Sequence, residues 1–330
     1  MLTAIIPIDL KRRPNDLIKK AVNLVEKANK KNIKIVFGHN NSNSKHDKKL
    51  INKIKEFPQV KICSTTFFNN EVNSSQLRNL AFEAVETEFI ILLDVDIHPD
   101  FDLFIKYQER VSFGLKPFYI LPCLYLTSYG SNLLTNKNIS SHELKEKYFS
   151  FSRKEFLHLA SPSSITVLRS SDYKKLNGFD NLYTGHGFED FDFLVRLAEL
   201  HNEIEKPSDF FHEMNSRSPL FFVGFRRYLG ELCIDSLLEK DLAFHLYHSK
   251  DNNENYYRSR ELNHTRFFKK NNKLENSKNH KDPTLLSTFI NSCNEKKLDI
   301  ADYSILFENK PGHIDRYDTL KRRLKFIFNK

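Results

Sequence analysis

Over the first hundred residues, short β-branched runs alternate with longer segments whose apolar residues recur at helical spacing. Thr3–Ile8 is an apolar run containing Pro7. It is followed over Asn15–Lys30 by Leu17, Ile18, Ala21, Val22, Leu24, Val25 and Ala28, which predicts a strand and then a helix. The same reading predicts strands over Ile33–Phe37 and Val60–Ser64, helices over Asp47–Glu56 and Ser74–Val85, and a polar turn at Gly38–Asn43. Phe89–Leu93 is apolar without alternation, as in a parallel strand covered on both faces. Strands alternating with helices predict an α/β fold built on a mostly parallel sheet, with ligands outside the carboxyl ends of its strands.

Further along, the pattern predicts a strand over Phe118–Leu126, a polar loop over Thr127–Ser141, a helix over Leu144–Leu159, a strand over Ser163–Arg169 and a helix over Asp172–Leu176 ahead of the Gly178 turn. Phe193–Leu200 reads as helix, and Ala243–His248 alternates like a strand. Beyond Ser249 the chain is Asn- and Lys-rich until about Asp282, and helical character returns over Pro283–Ile300. The expected organisation is one domain over 1–255, with halves of about 1–100 and 101–255, and a basic, helical C-terminal extension over 256–330.

The formal net charge of +9 raises polyanionic partners: nucleic acid, an anionic membrane face or phosphorylated substrates. Arg316–Lys330 interleaves basic and apolar residues, as in a helix lying on an anionic membrane or one packed on the domain. Cys63, Cys123, Cys233 and Cys293 are scattered, so neither a zinc site nor a disulfide framework is indicated. No apolar run is long enough to span a bilayer and no signal-peptide pattern opens the chain, which points to a cytoplasmic protein.

Three stretches carry candidate chemistry. Asp94-Val95-Asp96 follows the buried strand, where two aspartates one residue apart point to the same side and can share a divalent cation or its phosphate ligands. In Gly185-His186-Gly187-Phe188-Glu189-Asp190-Phe191-Asp192, two glycines precede three carboxylates set among aromatic residues. Crowded carboxylates suit proton transfer, and the same residues also read as a helix start complementing its dipole. His245 and His248 close the last strand-like run as metal-ligand candidates.

These features, in this order, resemble the GT-A glycosyltransferases, especially the family of the β-1,4-galactosyltransferases and their bacterial capsule-type relatives. Ile5-Ile6-Pro7 with Arg12-Arg13 looks like that family's opening strand and nucleotide-contacting loop, and Arg78-Asn79 like the helix preceding its D-x-D. Asp94-Val95-Asp96 matches the metal and diphosphate motif, and Gly185–Asp190 matches the G-W-G-x-E-D loop except that His186 replaces Trp in a chain without Trp. His248-Ser249-Lys250-Asp251 is similar to the segment bearing the metal-binding histidine, which favours His248 over His245.

The resemblance implies an inverting transferase using Mn²⁺ or Mg²⁺ held by Asp96 and His248 with Asp94 in support. A UDP-sugar would lie along Pro7, Arg12, Arg13, Arg78, Asp94, Val95, Asp96 and Gly187. His186, Glu189 and Asp190 would meet the acceptor, with Asp190 as general base and Asp192 structural. It further implies UDP-galactose, UDP-N-acetylgalactosamine or UDP-N-acetylglucosamine as donor, and a bacterial capsule, lipopolysaccharide or O-antigen glycan as acceptor. Two rival readings are a sugar-phosphate nucleotidyltransferase, which lacks its Gly-rich phosphate loop because Pro7–Pro14 contains no glycine, and a non-catalytic basic binding module for nucleic acid or membrane.

Overall fold

A computed structural model describes residues 1–67, 72–249, 259–271 and 282–309, with 319, 320 and 324. The chain forms two compact units, each discontinuous in sequence: 1–120, 164–203 and 250–272 in the first, and 121–163, 204–249 and 273–330 in the second. Both draw on chain from either side of residue 255.

With elements numbered along the chain, the first unit contains β1 (Leu2–Asp9), α1 (Pro14–Lys30), β2 (Lys34–Asn40), α2 (Lys45–Ile54), β3 (Val60–Thr65), α3 (Ser74–Phe82), β4 (Phe89–Leu92), α4 (Phe101–Ser112) and β5 (Phe118–Ile120). It is completed by β8 (Thr166–Arg169), α7 (Ser170–Lys175), α8 (Glu189–Leu200) and α11 (Arg260–Lys270). Its six strands lie in the order β3-β2-β1-β4-β8-β5. β1 pairs in parallel with β2 and β4, and β2 with β3, while β8 runs antiparallel to β4 and β5. The continuous apolar runs of β1 and β4 are buried, as the absence of alternation requires.

Two residues of types that commonly interrupt strands lie inside them here. Pro7 stays in β1 because pairing with β4 ends at Ile5, so its missing N–H falls where that neighbour has left the ladder. Gly38 belongs to β2, where a Cβ would lie 1.8 Å from the backbone oxygen of Leu77. The polar turn expected at 38–43 therefore starts only after Asn40, and Gly38 permits the close approach of α3.

The second unit contains β6 (Cys123–Leu126), α5 (Ser128–Thr135), α6 (Ser141–Phe149), β7 (Phe156–Ala160), α9 (Phe225–Glu231), α10 (Ile234–Leu238), β9 (Ala243–His245) and α12 (Leu286–Glu295). A three-stranded sheet, β7-β6-β9, covers a core that includes Leu124, Leu159, Leu237, Phe244 and Phe289.

Three expectations change here. The Phe118–Leu126 run is two strands in two sheets, divided at Leu121-Pro122, where proline offers no ladder donor. The expected loop over Thr127–Ser141 contains α5, whose start is capped by Thr127 Oγ1 accepting from Gly130 N at 3.1 Å. The helix expected over Leu144–Leu159 ends at Phe149: Phe151 adopts φ 64°, Ser152 N donates to Lys147 O at 2.9 Å in a Schellman-type cap, and β7 follows.

Candidate active site

Asp94-Val95-Asp96 leaves the sheet at the carboxyl end of β4, just after Leu93 N donates to Ile5 O at 3.1 Å. Asp96 is buried and already carries two cations. Its Oδ2 accepts from Arg13 Nη2 at 2.9 Å and its Oδ1 from Lys20 Nζ at 2.6 Å. Arg13 stands at the N-cap of α1 with φ 48° and also donates to Asp16 at 2.6 Å. Burial alone would lower the Arg13 guanidinium, but Asp96 and Asp16 outweigh it and hold its pKa above the ordinary value. Arg12 lies half-buried in the same turn, and Pro7 half-buried in β1.

Arg78 is 2 % exposed and spans the two carboxylate motifs. Its Nη2 donates to Asp94 Oδ1 at 2.7 Å, and its Nη1 lies 3.3 Å from Asp190 Oδ1. The guanidinium also stacks over Phe179, 4.8 Å from the ring centre. Desolvation opposes its charge, yet Asp190, Asp94 and Glu189 raise its pKa above the ordinary value. Ser164 Oγ donates to Asp94 Oδ2 at 3.3 Å. The neighbouring Asn79 fixes the chain ahead of the acidic loop: its Oδ1 accepts from Tyr173 OH and Phe179 N, and its Nδ2 donates to Phe179 O at 2.8 Å.

The stretch Gly185–Asp192 does form a helix start. Gly185, Gly187 and Phe188 all lie in the left-handed region, at φ 67°, 95° and 72°, and α8 then begins with Glu189, Asp190 and Asp192 in its first turn. Phe188 is the uncommon member, since a residue with a Cβ avoids positive φ. Glu189 is buried, and among the described residues nothing hydrogen-bonds its Oε2. Desolvation, reinforced by Asp190, pushes the Glu189 pKa well above the carboxylate range. Desolvation also raises the Asp190 pKa above the ordinary carboxylate value, with Arg78 opposing that shift and Asp94 adding to it. Asp192 has structural partners: Tyr183 OH at 3.3 Å, Lys270 Nζ at 2.8 Å and Arg196 Nε at 2.9 Å. His186 lies half-buried between the two glycines.

In the second unit, His245 is buried in β9 with its ring stacked on Tyr125 at 4.2 Å, and Tyr125 stacks in turn on His158 at 4.4 Å. His248 follows the strand, half-buried, with Nδ1 3.0 Å from Ser249 O. A carbonyl only accepts, so Nδ1 is the donor in that contact, which in a neutral imidazole leaves Nε2 as the nitrogen able to ligate a metal. Lys250 and Asp251 lie outside the described residues, as does the basic helix expected over Arg316–Lys330 apart from Thr319, Leu320 and Leu324. The carboxylate oxygens of Asp94 and Asp96 are donors of the kind that suit Mn²⁺ or Mg²⁺. At Asp96 such an ion would share or displace Arg13 and Lys20.

Sequence reading singled out Arg13, Arg78-Asn79, both aspartates and the acidic loop, and missed Lys20 and Ser164. Lys20 had a signal, because it lies four residues after Asp16 on α1, and the two pair at 3.1 Å.

No curated protein matches the chain. Among solved structures it is similar to residues 1–349 of S. aureus TarS, with 14% identity and a TM-score of 0.40, covering 59% of this chain and 54% of that one. It is similar to the catalytic domain of Drosophila beta1,4-galactosyltransferase 7 in complex with xylobiose, with 16% identity, a TM-score of 0.32 and 61% of each chain covered. A third is the mannosyltransferase PcManGT of Pyrobaculum calidifontis in complex with GDP-Man and Mn²⁺, with 12% identity, a TM-score of 0.37, and 60% and 52% covered. The chain thus spans between 52% and 61% of these structures' lengths. Residues 3–273 match the family described as glycosyltransferase like family 2. That match takes in the aspartate pair, the acidic loop and both histidines, and the chain belongs to this glycosyltransferase family, with the GT-A fold.

Proposed function

We propose that the protein is an inverting, metal-dependent transferase that moves galactose, N-acetylgalactosamine or N-acetylglucosamine from its UDP-sugar to a hydroxyl of a growing bacterial surface glycan, such as capsule, lipopolysaccharide or O-antigen. The observation that carries this reading is Arg78, one buried guanidinium that holds Asp94 of the D-x-D and Asp190 of the acidic loop. It ties the donor end of the site to the group that must receive a proton.

Asp190 takes the acceptor hydroxyl proton as the new bond to the anomeric carbon forms and the bond to the diphosphate oxygen breaks. Glu189 and His186 orient the acceptor, and Pro7, Arg12, Arg13, Val95 and Gly187 line the nucleotide-sugar. Asp94, Asp96 and His248 would hold the Mn²⁺ or Mg²⁺ ion, whose Lewis acidity stabilises the departing diphosphate. The enzyme works in the cytoplasm, and its basic C-terminus meets the inner membrane face, where lipid-linked acceptors are made available.

A panel of UDP-sugars incubated with Mn²⁺, with and without EDTA, tests enzyme class, donor and metal together. Release of UDP from one donor, abolished by EDTA and restored by Mn²⁺, is expected. Release of pyrophosphate, or turnover indifferent to chelation, would overturn the reading.

A further inference from the structure

α11 falls in the Asn- and Lys-rich extension expected to be helical, and it packs one face against the acidic loop. Asn263 Nδ2 donates to Thr184 O at 2.8 Å, Arg266 Nη1 donates to Leu182 O, and Lys270 Nζ reaches both Asp180 and Asp192 at 2.8 Å. Residues 263, 266 and 270 follow one another at helical spacing, so a single face supplies all these contacts.

The same face holds the strained part of the loop. Phe267 is fully buried with its ring 5.6 Å from that of Phe188, His264 meets Phe188 edge-on at 5.1 Å, and the Arg260 guanidinium lies over the Phe188 ring at 5.1 Å. A Cβ at Gly187 would come within 2.5 Å of Arg260 Nη1, the movable end of a long side chain, so the firmer requirement for glycine is φ 95°. A non-glycine residue at φ 72° persists only where its surroundings over-determine it. Phe188 immediately precedes Glu189 and Asp190, so its backbone conformation sets where both carboxylates begin.

We infer that α11 is a clasp: Asn263, Arg266 and Lys270 are positioning residues that hold the Gly185–Phe188 turn so that α8 presents Asp190 to Arg78 and the acceptor. The catalytic part of this inference rests on the transferase reading above, whereas the clasp itself does not.

Hydrogen exchange followed by mass spectrometry separates the two. In Lys270→Ala and Asn263→Ala, amides of the 182–192 segment should exchange faster than in the wild type while those of β1, β2 and β4 keep their protection. Turnover should fall toward the ~10²-fold loss that a displacement of about 1 Å can cost. Lys270→Arg should restore both. Lys270 is 37 % exposed on its side chain, so its removal leaves a solvated site and a folded protein, with Asn263→Ala as an independent second variant. Unchanged exchange in the segment, or faster exchange with wild-type turnover, would overturn the inference. A wild type that turned over no nucleotide-sugar would overturn the proposed reaction instead, and the exchange data would still decide the clasp.

Discussion

Arg78 and Asp190 form an ion pair at 3.3 Å, although their sequence positions lie in motifs on either side of the D-x-D. The pair sets opposing forces on one carboxylate: burial raises the Asp190 pKa and the guanidinium restrains it. A general base needs both, because a carboxylate that is too stable accepts no proton and one that is too costly to ionise has already taken one.

Replacing Arg78 by Leu should strand the carboxylates it serves. Removing one partner of a buried pair typically costs about 3–5 kcal/mol. Asp94 and Asp190 keep 35 % and 29 % of their side chains exposed, so chemical denaturation should show a loss below that range, and turnover should fall with it. Arg78→Lys keeps the charge but cannot reach both aspartates with a planar fork, so it should recover stability more than activity.

Asp190→Asn should lower turnover about 10²- to 10⁴-fold, the usual contribution of a positioned proton acceptor. UDP binding, followed by calorimetry, should stay at the wild-type level, because the diphosphate is met elsewhere. Loss of UDP binding in this variant would assign Asp190 to the donor instead.

Glu189 gives a stability prediction whose sign follows from its raised pKa. A carboxyl that is harder to ionise when folded contributes stability below its unfolded pKa, and that stability is lost as pH rises through the folded value. Glu189→Gln removes the cost of ionising the group. Its melting temperature should exceed the wild-type value at and above neutral pH, and the gap should close as the pH falls below the ordinary value of 4.5. Turnover should drop in the same variant, because the amide cannot reproduce the hydrogen bonding of the carboxyl group that orients the acceptor.

His248 and His245 should separate by what each loss affects. His248→Ala should raise the Mn²⁺ concentration needed for half-maximal turnover by at least the ~10–100-fold that losing an outer partner of a metal site already costs. His245→Ala breaks the stack with Tyr125 and should lower the melting temperature.

At Gly187, φ 95° and the nearby Arg260 both oppose a side chain. Gly187→Ala should cost roughly 1–3 kcal/mol in unfolding free energy and reduce turnover.

The alternation of apolar runs determined the βα order of the first unit, because a parallel strand buried on both faces has no other way to be written. The aspartate pair was legible for the same reason, since it ends such a strand. The acidic loop was legible as a helix start and as a cluster of carboxylates, and the structure makes it both. What local periodicity could not carry were features set by partners far along the chain. Gly38 reads as a turn until Leu77 O is found against it, and α11 has too few apolar residues to show where it docks because much of its binding is polar. The division of Phe118–Leu126 between two sheets, and the meeting of Arg78 with Asp190, were likewise decided by tertiary structure. Period and propensity act over a few residues, whereas close packing and charge pairing act between segments that only folding brings together.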